Sequence, residues 1–233
     1  MKTKIIYEDN ALLVVQKPAG LAAQTAKAGQ ADVVSELKNY LRNPYLGVVH
    51  RLDQPVEGLL VFAKNKEAAA ALSAQLADGT LNKRYYGLIC GKPVKEQGEL
   101  VDYLYKETQN GGHAVVVEEQ ERSHFPAAKK AVLQYRLVQY AEKTDLSLME
   151  IHIDTGRFHQ IRAQMAHAGM ALLGDIRYGD EAAREKGREL NIRNVALCAY
   201  EIAFLHPVKK QEMRFRIKPE GKVFAYFKDF LPY

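Results

Sequence analysis

The spacing of apolar and polar residues marks out most elements of this chain. Lys4 to Tyr7 and Ala11 to Gln16 are short apolar runs, joined by the turn-forming Glu8-Asp9-Asn10 and stopped by Pro18 and Gly20, which reads as a hairpin. Val33, Val34, Leu37 and Leu41 fall at helical spacing, so residues 31–41 fit an amphipathic helix. Leu46 to His50 and Gly58 to Ala63 look like strands on either side of a polar connection, Arg51 to Glu57. Asn65 is a good N-cap for an alanine-rich helix over residues 66–77 that Gly79 would close. Tyr85 to Cys90 is a further strand.

Downstream, Gly111-Gly112 marks a turn, and Glu118 to Arg122 reads as a charged, mobile loop. Val132 to Val138 and Leu146 to Ile153 read as longer strands, and Gln160 to Ala168 as a short helix entered through Gly156 and left through Gly169. Asp180 to Leu190 is charged and poorly patterned. Ala196 to Phe204 and Met213 to Ile217 are late strands, and Phe224 to Phe230 reads as a closing helix. Strands outnumber helices and do not alternate strictly with them. That pattern predicts an α+β fold with a mixed, mainly antiparallel sheet flanked by helices, rather than a doubly wound parallel sheet. No internal repeat or low-complexity linker divides the chain, so it reads as a single domain, or two tightly merged halves, over residues 1–233.

Composition narrows the class. With 233 residues, 47% hydrophobic and 26% charged, the chain has the balance of a globular protein, which excludes a disordered chain, a collagen-like fibre and a coiled coil. The 33 basic and 28 acidic residues leave a net charge of +5, compatible with a polyanionic partner and equally with an ordinary solvated surface. Cys90 and Cys198 both lie in apolar runs and are too few for a disulfide framework or a zinc site, so two buried thiols in a reducing compartment are expected. No apolar stretch reaches the roughly 18 residues a membrane helix needs, and the basic N-terminus turns acidic before an apolar segment develops. A cytoplasmic protein with no membrane partner is the expectation.

Three segments carry candidate chemistry. In VVHRLDQPVEGLLVFAKN, residues 48–65, the cluster His50-Arg51-Asp53 sits between two apolar strands. Polar groups there must be exposed, paired or part of a site. A solvent-facing turn with a local Arg–Asp pair and a carboxylate acting as nucleophile or base both fit. In residues 153–179, a helix starting near Phe158 would put His159 and Arg162 on one face and Ile161, Met165 and Ala168 on the core side. Arg157, His159 and Arg162 would then gather positive charge near the helix N-terminus, suited to a phosphate, to a carboxylate elsewhere, or to a solvated basic face. In residues 82–91, Lys83, Arg84, Tyr85 and Tyr86 set basic charge beside aromatics, as base-stacking sites do. Strand alternation allows at most one of the two tyrosines to line a given pocket. His152, His159 and His167 lack metal-site spacing, and no phosphate-loop or dinucleotide fingerprint occurs, so neither a metal nor a nucleotide cofactor is expected.

Jointly, these segments resemble the RluA-type family of RNA pseudouridine synthases, from about Ile5 to Phe230. His50-Arg51-Leu52-Asp53 with Gly58-Leu59-Leu60 resembles the family's aspartate motif, and Lys83 with Tyr85 its basic-x-Tyr strand. Gly156 to Arg162 resembles its late arginine motif, followed by Leu173-Gly174-Asp175 and Tyr178-Gly179, with Ala196-Leu197 and His206-Pro207 near the end. The chain departs from the family at Val56-Glu57 and Phe158, where small hydroxyl residues are usual. It departs again at Gln164, Met170 and Cys198, where histidine is common.

The resemblance implies isomerisation of uridine to pseudouridine in structured ribosomal or transfer RNA, without a cofactor. Asp53 would be the essential carboxylate, either as nucleophile at C1′ or as the base that removes the 2′ proton. Arg162 would pair with Asp53 and orient it, and Tyr85 would stack on the target uracil. Arg51 would enter the RNA where the uridine leaves the stack. His50, Lys83, Arg84, Arg157 and His159 are the remaining candidates for RNA contact. The resemblance further implies a monomer with a central cleft and no N-terminal RNA-binding appendage. The alternative from another class is a non-catalytic RNA-binding or RNA-folding protein on the same scaffold.

Overall fold

The computed structural model describes residues 1–25, 29–109, 112–227 and 229. In chain order the elements are β1 (Lys4–Glu8), β2 (Leu12–Lys17), α1 (Val33–Leu41), β3 (Gly47–Val48), β4 (Glu57–Ala63), α2 (Lys66–Ala77) and β5 (Asn82–Cys90). There follow β6 (Gln97–Glu107), β7 (His113–Val117), β8 (Lys129–Ala141), β9 (Leu146–Ile153), α3 (Gln160–His167), α4 (Glu181–Glu189), β10 (Leu197–Leu205) and β11 (Glu212–Arg216). Two compact units result: Met1–Arg84 with Cys198–Lys222, and Tyr85–Leu197 continued by the segment from Val223.

In the first unit the strand order is β1-β2-β4-β10-β11, with β3 also on β4. Every pairing is antiparallel except β4 with β10, which is parallel. β2 and β4 are buried along their whole length, which is why they read as unbroken apolar runs rather than alternating ones. Leu12, Val14, Leu59 and Val61 pack with Ala68 and Leu72 of α2 and with Ile202 and Phe204 of β10. Each fully buried leucine contributes about 1.5–3 kcal/mol to this core. The caps follow the sequence closely: Asn65 accepts the Ala68 N–H at 2.8 Å to start α2, and Asp32 accepts the Ser35 N–H at 2.7 Å to start α1.

One glycine is required by packing. Gly58 has φ +136°, and a Cβ there would lie 2.5 Å from the Ala199 nitrogen on the parallel neighbour. Only glycine lets β4 begin at that point, directly after the polar connection, with β10 alongside.

In the second unit the order is β5-β9-β8-β6-β7, and the pairs β9-β8, β8-β6 and β6-β7 are antiparallel. Leu148, Met149 and Ile151 of β9 are fully buried. A smaller apolar cluster, Leu104, Ala114, Ala131 and Ala163, lies where α3 packs on β6, β7 and β8, with Phe158 and Tyr178 against it. The mixed, mainly antiparallel α+β architecture is the one the pattern predicts.

Several boundaries differ from the sequence reading. Glu119–His124 forms a 3-10 helix where a charged loop is expected, and Asp180 to Leu190 contains α4, capped by Asp180 accepting the Ala183 N–H at 2.8 Å. The expected strand over residues 46–50 pairs only at Gly47 and Val48. The closing segment is a 3-10 helix over Lys222–Phe227, and residues 228 and 230 of the expected helix lie outside the described residues. Gly111 of the expected turn also lies outside them. Cys198 is buried as expected, but Cys90 is only half-buried, because it ends its strand.

Candidate active site

Asp53 lies on the connection that leaves β3 and returns as β4. The Val56 N–H donates to the Asp53 carbonyl at 3.0 Å and closes a turn there. Leu52 and Val56 are buried on either side, so the turn is anchored while Asp53 stays half-buried and Arg51 exposed. A second tie comes from the end of β2. Lys17 is completely buried, and its ammonium donates to the carbonyls of Pro18 at 3.1 Å, Leu21 at 2.7 Å and Gln54 at 3.1 Å. The Gly20 N–H also donates to the Gln54 carbonyl at 2.9 Å. One side chain thus holds the turn after β2 against the residue next to Asp53. Burial lowers the Lys17 ammonium to about 8, and the carboxylates of Asp53 and Glu57 act in the opposite direction.

The other polar residues of this segment serve as supports. His50 is buried and accepts the Val61 N–H through Nε2 at 3.2 Å. Burial, and to a lesser extent Lys83, lower its pKa to about 3, so the ring is neutral at physiological pH. His50, named as a candidate for RNA contact, thus faces inward as a neutral ring on the connection after β3. Lys83 is likewise less than a tenth exposed, and burial lowers it to about 8, whereas the adjacent Arg84 points outward, 3.8 Å from Glu201. Glu57 is buried and accepts the N–H groups of Glu220 at 2.9 Å and Gly221 at 3.0 Å. Burial raises its pKa. Glu57 therefore anchors the segment after β11.

In the second unit, Tyr85 and Tyr86 are both buried, at 4% and 5% exposure, although alternation sends them to opposite faces. The loop before α3 is pinned to β8. Gln160 accepts the Arg157 N–H at 2.9 Å and donates to the Val132 carbonyl at 3.0 Å, and the Arg157 side chain donates to the Lys130 carbonyl at 2.9 Å. Arg157 remains exposed. His159 takes the left-handed conformation (φ +51°) as the residue before α3, so it does not share a helical face with Arg162. Its Nδ1 lies 2.9 Å from the Tyr178 hydroxyl, and its ring stacks on Phe158 at 3.8 Å.

Arg162 is buried. Its Nε and Nη2 donate to the two oxygens of Asp175 at 2.7 and 2.8 Å, a bidentate pair with side chains 6% and 1% exposed. The same carboxylate accepts the N–H groups of Arg177 at 3.0 Å and Tyr178 at 3.1 Å. Burial pushes the Asp175 carboxyl up, but Arg162 and these two N–H groups outweigh it and hold the group below its ordinary value. The Tyr178 hydroxyl accepts the Ala114 N–H at 2.6 Å, and Arg177 donates to the Gly112 carbonyl. The turn after Asp175 thus fixes both the arginine of α3 and the start of β7. A solvated basic face over residues 157–162 is not what forms, because α3 is buried from Gln160 to Met165. Ala168, expected in the core, is exposed at the helix end.

The sequence reading named Asp53, Arg51, Tyr85, Arg84, Arg157, His159 and Arg162. Lys17 went unnamed there, and Asp175 entered only as part of a turn. Gln164 is fully buried, donates to Asp102 at 2.7 Å and links α3 to β6. Among the described residues no group of three or more histidine, cysteine or carboxylate side chains is placed to hold a metal, and no helix is long and apolar enough to cross a membrane.

Two outcomes follow from these buried groups. Asp175→Asn removes the charge that pairs bidentately with the buried Arg162 and should cost about 3–5 kcal/mol of stability in urea unfolding; a loss below about 1 kcal/mol contradicts the role given to the pair. The pKa of His50 is depressed in the folded chain, so the unfolded chain takes up its proton first as pH falls below about 6.5. That part of the stability is present above pH 6.5 and is lost progressively toward pH 3. In His50→Gln, whose amide oxygen can still accept the Val61 N–H, the urea midpoint should change less between pH 7 and 5 than in the unaltered chain. An unchanged slope contradicts the assignment.

The RNA pseudouridylate synthase family matches residues 11–167. Ribosomal large subunit pseudouridine synthase D of Zymomonas mobilis is 34% identical over 91% of this chain and 68% of its own length. The tRNA pseudouridine synthase C of Vibrio vulnificus is 30% identical over 91% of this chain and 89% of its own. Other curated relatives are longer, and the chain spans 64% of the length of two of them. Among solved structures, human RNA pseudouridylate synthase domain containing 4 shares the fold with a TM-score of 0.72, at 22% identity, over 96% of this chain and 90% of that one. The family match covers well over half of the chain, and the relatives and the fold agree with it: the chain belongs to the RNA pseudouridylate synthase family.

Proposed function

We propose that this chain converts specific uridines in structured RNA to pseudouridine, with Asp53 as the essential carboxylate. The observation that carries the reading is the turn at Asp53: a half-buried carboxylate between two buried apolar anchors, tied through Gln54 to the buried ammonium of Lys17. A surface turn with a casual Arg–Asp pair has no need of a lysine withdrawn completely from water, since burying that charge is costly.

The reaction breaks the bond between ribose C1′ and uracil N1, turns the base, and joins C5 to C1′. The proton leaves C5 and one is gained at N1, so nothing is oxidised or reduced and no group donor is consumed. Asp53 acts either by attack on C1′ or by removing the 2′ proton; both roles need a carboxylate held still against a flipped nucleotide. Arg162, held by Asp175 through two of its five N–H donors, is the cation assigned to the reaction. Tyr85 supplies the surface on which the uracil stacks. Arg51, Arg84, Arg157 and His159 meet the RNA, while His50 and Lys83 support the site from within.

The relatives named above act on large-subunit ribosomal RNA and on tRNA, and either class supplies the unstacked uridine this chemistry requires. The same reading places the chain in the cytoplasm, acting as a monomer without a cofactor. Within this family an enzyme is favoured over a non-catalytic RNA-folding protein, because a pure binder gains nothing from a carboxylate facing a polyanion.

Release of tritium from RNA labelled at uridine C5 follows the reaction directly. Asp53→Asn should lower that release at least about a thousandfold, with RNA affinity within about threefold of the unaltered chain, as expected for loss of a group that acts in the transition state. Turnover near that of the unaltered chain in Asp53→Asn would falsify the proposal.

A further inference from the structure

The residues after Asp175 form a groove that the reading above does not use. It has a volume of about 570 Å³ and is lined by Ile176, Arg184, Gly187, Arg188, Asn191 and Ile192 beside the Gly174-Asp175 turn. Two glycines make its floor. A Cβ on Gly187 would lie 3.5 Å from the Gly174 nitrogen, and one on Gly174 would lie 2.3 Å from the Asn194 carbonyl oxygen, so α4 sits close against the turn. On the rim, Arg184 and Arg188 stand four residues apart on one face of α4, about 6 Å along the helix axis. Lys186 of the same helix pairs with Glu189 at 2.8 Å, whereas among the described residues no carboxylate lies within ion-pair distance of Arg184 or Arg188. Asp175, the one carboxylate in the lining, is neutralised by Arg162. In the same lining, Ile176 is 88% exposed, unusual for a large apolar side chain on an otherwise polar turn.

We propose that this groove binds the RNA strand flanking the target uridine, with Arg184 and Arg188 on successive phosphates and Ile176 against a ribose or an unstacked base. The inference rests on the proposed function for the identity of the RNA. Two guanidiniums one turn apart without carboxylate partners give the spacing and charge that a single-strand backbone complements, and a floor of backbone and glycine lets that strand approach closely. An exposed isoleucine beside them matches the apolar contacts made to bases released from a stack. The groove also shares its turn with the Asp175–Arg162 pair, so RNA seated here bears on the element that holds Arg162.

The test uses unmodified bacterial large-subunit ribosomal RNA and unmodified tRNA, both made by transcription, with Arg184→Ala/Arg188→Ala and the conservative Arg184→Lys/Arg188→Lys. The alanine pair should raise KM about tenfold with kcat unchanged. It should also reduce the slope of log affinity against log salt by about 1.5, the loss of two phosphate contacts. The lysine pair should restore most of the slope, which a merely structural role would not. If KM and the salt slope stay as in the unaltered chain while Asp53→Asn is inactive, the groove proposal is overturned and the proposed function stands. If the unaltered chain makes no pseudouridine but its RNA binding loses salt dependence in the alanine pair, the groove stands and the function falls. A drop in both kcat and Tm in the alanine pair marks a packing role and overturns the groove. Intact binding to bare RNA with loss of activity only on ribosomal particles marks an acidic protein partner instead, which also overturns it.

Discussion

The pairing of Arg162 with Asp175 is the interaction on which the second unit depends. Both charges are withdrawn from water, a step that costs several kcal/mol per ion unless the geometry is good and the remaining donors are used. Here the carboxylate is saturated: two N–H from the guanidinium and two from the backbone of Arg177 and Tyr178 converge on its oxygens. The same four bonds that hold Arg162 still also shape the turn that follows. Tyr178 can then reach His159 and the Ala114 N–H, and Arg177 the Gly112 carbonyl. Helix, loop and β7 are thereby fastened to one carboxylate. Because breaking a buried pair costs far more than its net formation contributes, the arrangement is better understood as fixing geometry than as adding stability.

The first unit solves the same problem with a lysine. An ammonium has three donors and no acceptor, and Lys17 spends its donors on three carbonyls from two separate loops. The parallel pairing of β4 with β10, possible because Gly58 has no side chain, sets where the strand after Asp53 begins. Glu57 then ties the chain after β11 to that same point. The Asp53 carboxylate on its connecting segment is thus held by buried polar contacts rather than by a long strand.

Much of this was legible in the sequence, for identifiable reasons. The β1–β2 hairpin, α2 with its Asn65 cap and β9 were readable because propensity, apolar pattern and cap residue agree there. The helix α4 was not: it buries only Ala183 and Gly187, so its contact with the turn at Gly174 leaves almost no apolar signal. β6 was not delimited for a related reason, since few of its residues are fully buried and its pattern is weak. The motif residues Asp53 and Arg162 stood out, but their supports did not. Lysine is among the residues least expected in a core, so nothing in the local pattern marks Lys17 as buried. Asp175 lies 13 residues from Arg162, and Glu57 lies 163 from Glu220, so only folding brings these partners together. Sequence shows the type of His50 but not the burial that keeps its ring neutral.

The central claim is that this chain makes pseudouridine in RNA, and a transcriptome-wide map of that base tests it most directly. RNA from cells with and without the gene would be treated with a reagent that marks pseudouridine alone, after complementation with either the unaltered gene or Asp53→Asn. The account predicts at least one position in ribosomal or transfer RNA that is lost on deletion, restored by the unaltered gene and not by the variant. A position restored equally well by Asp53→Asn, or no lost position in cells shown to lack any second enzyme for these sites, would contradict it.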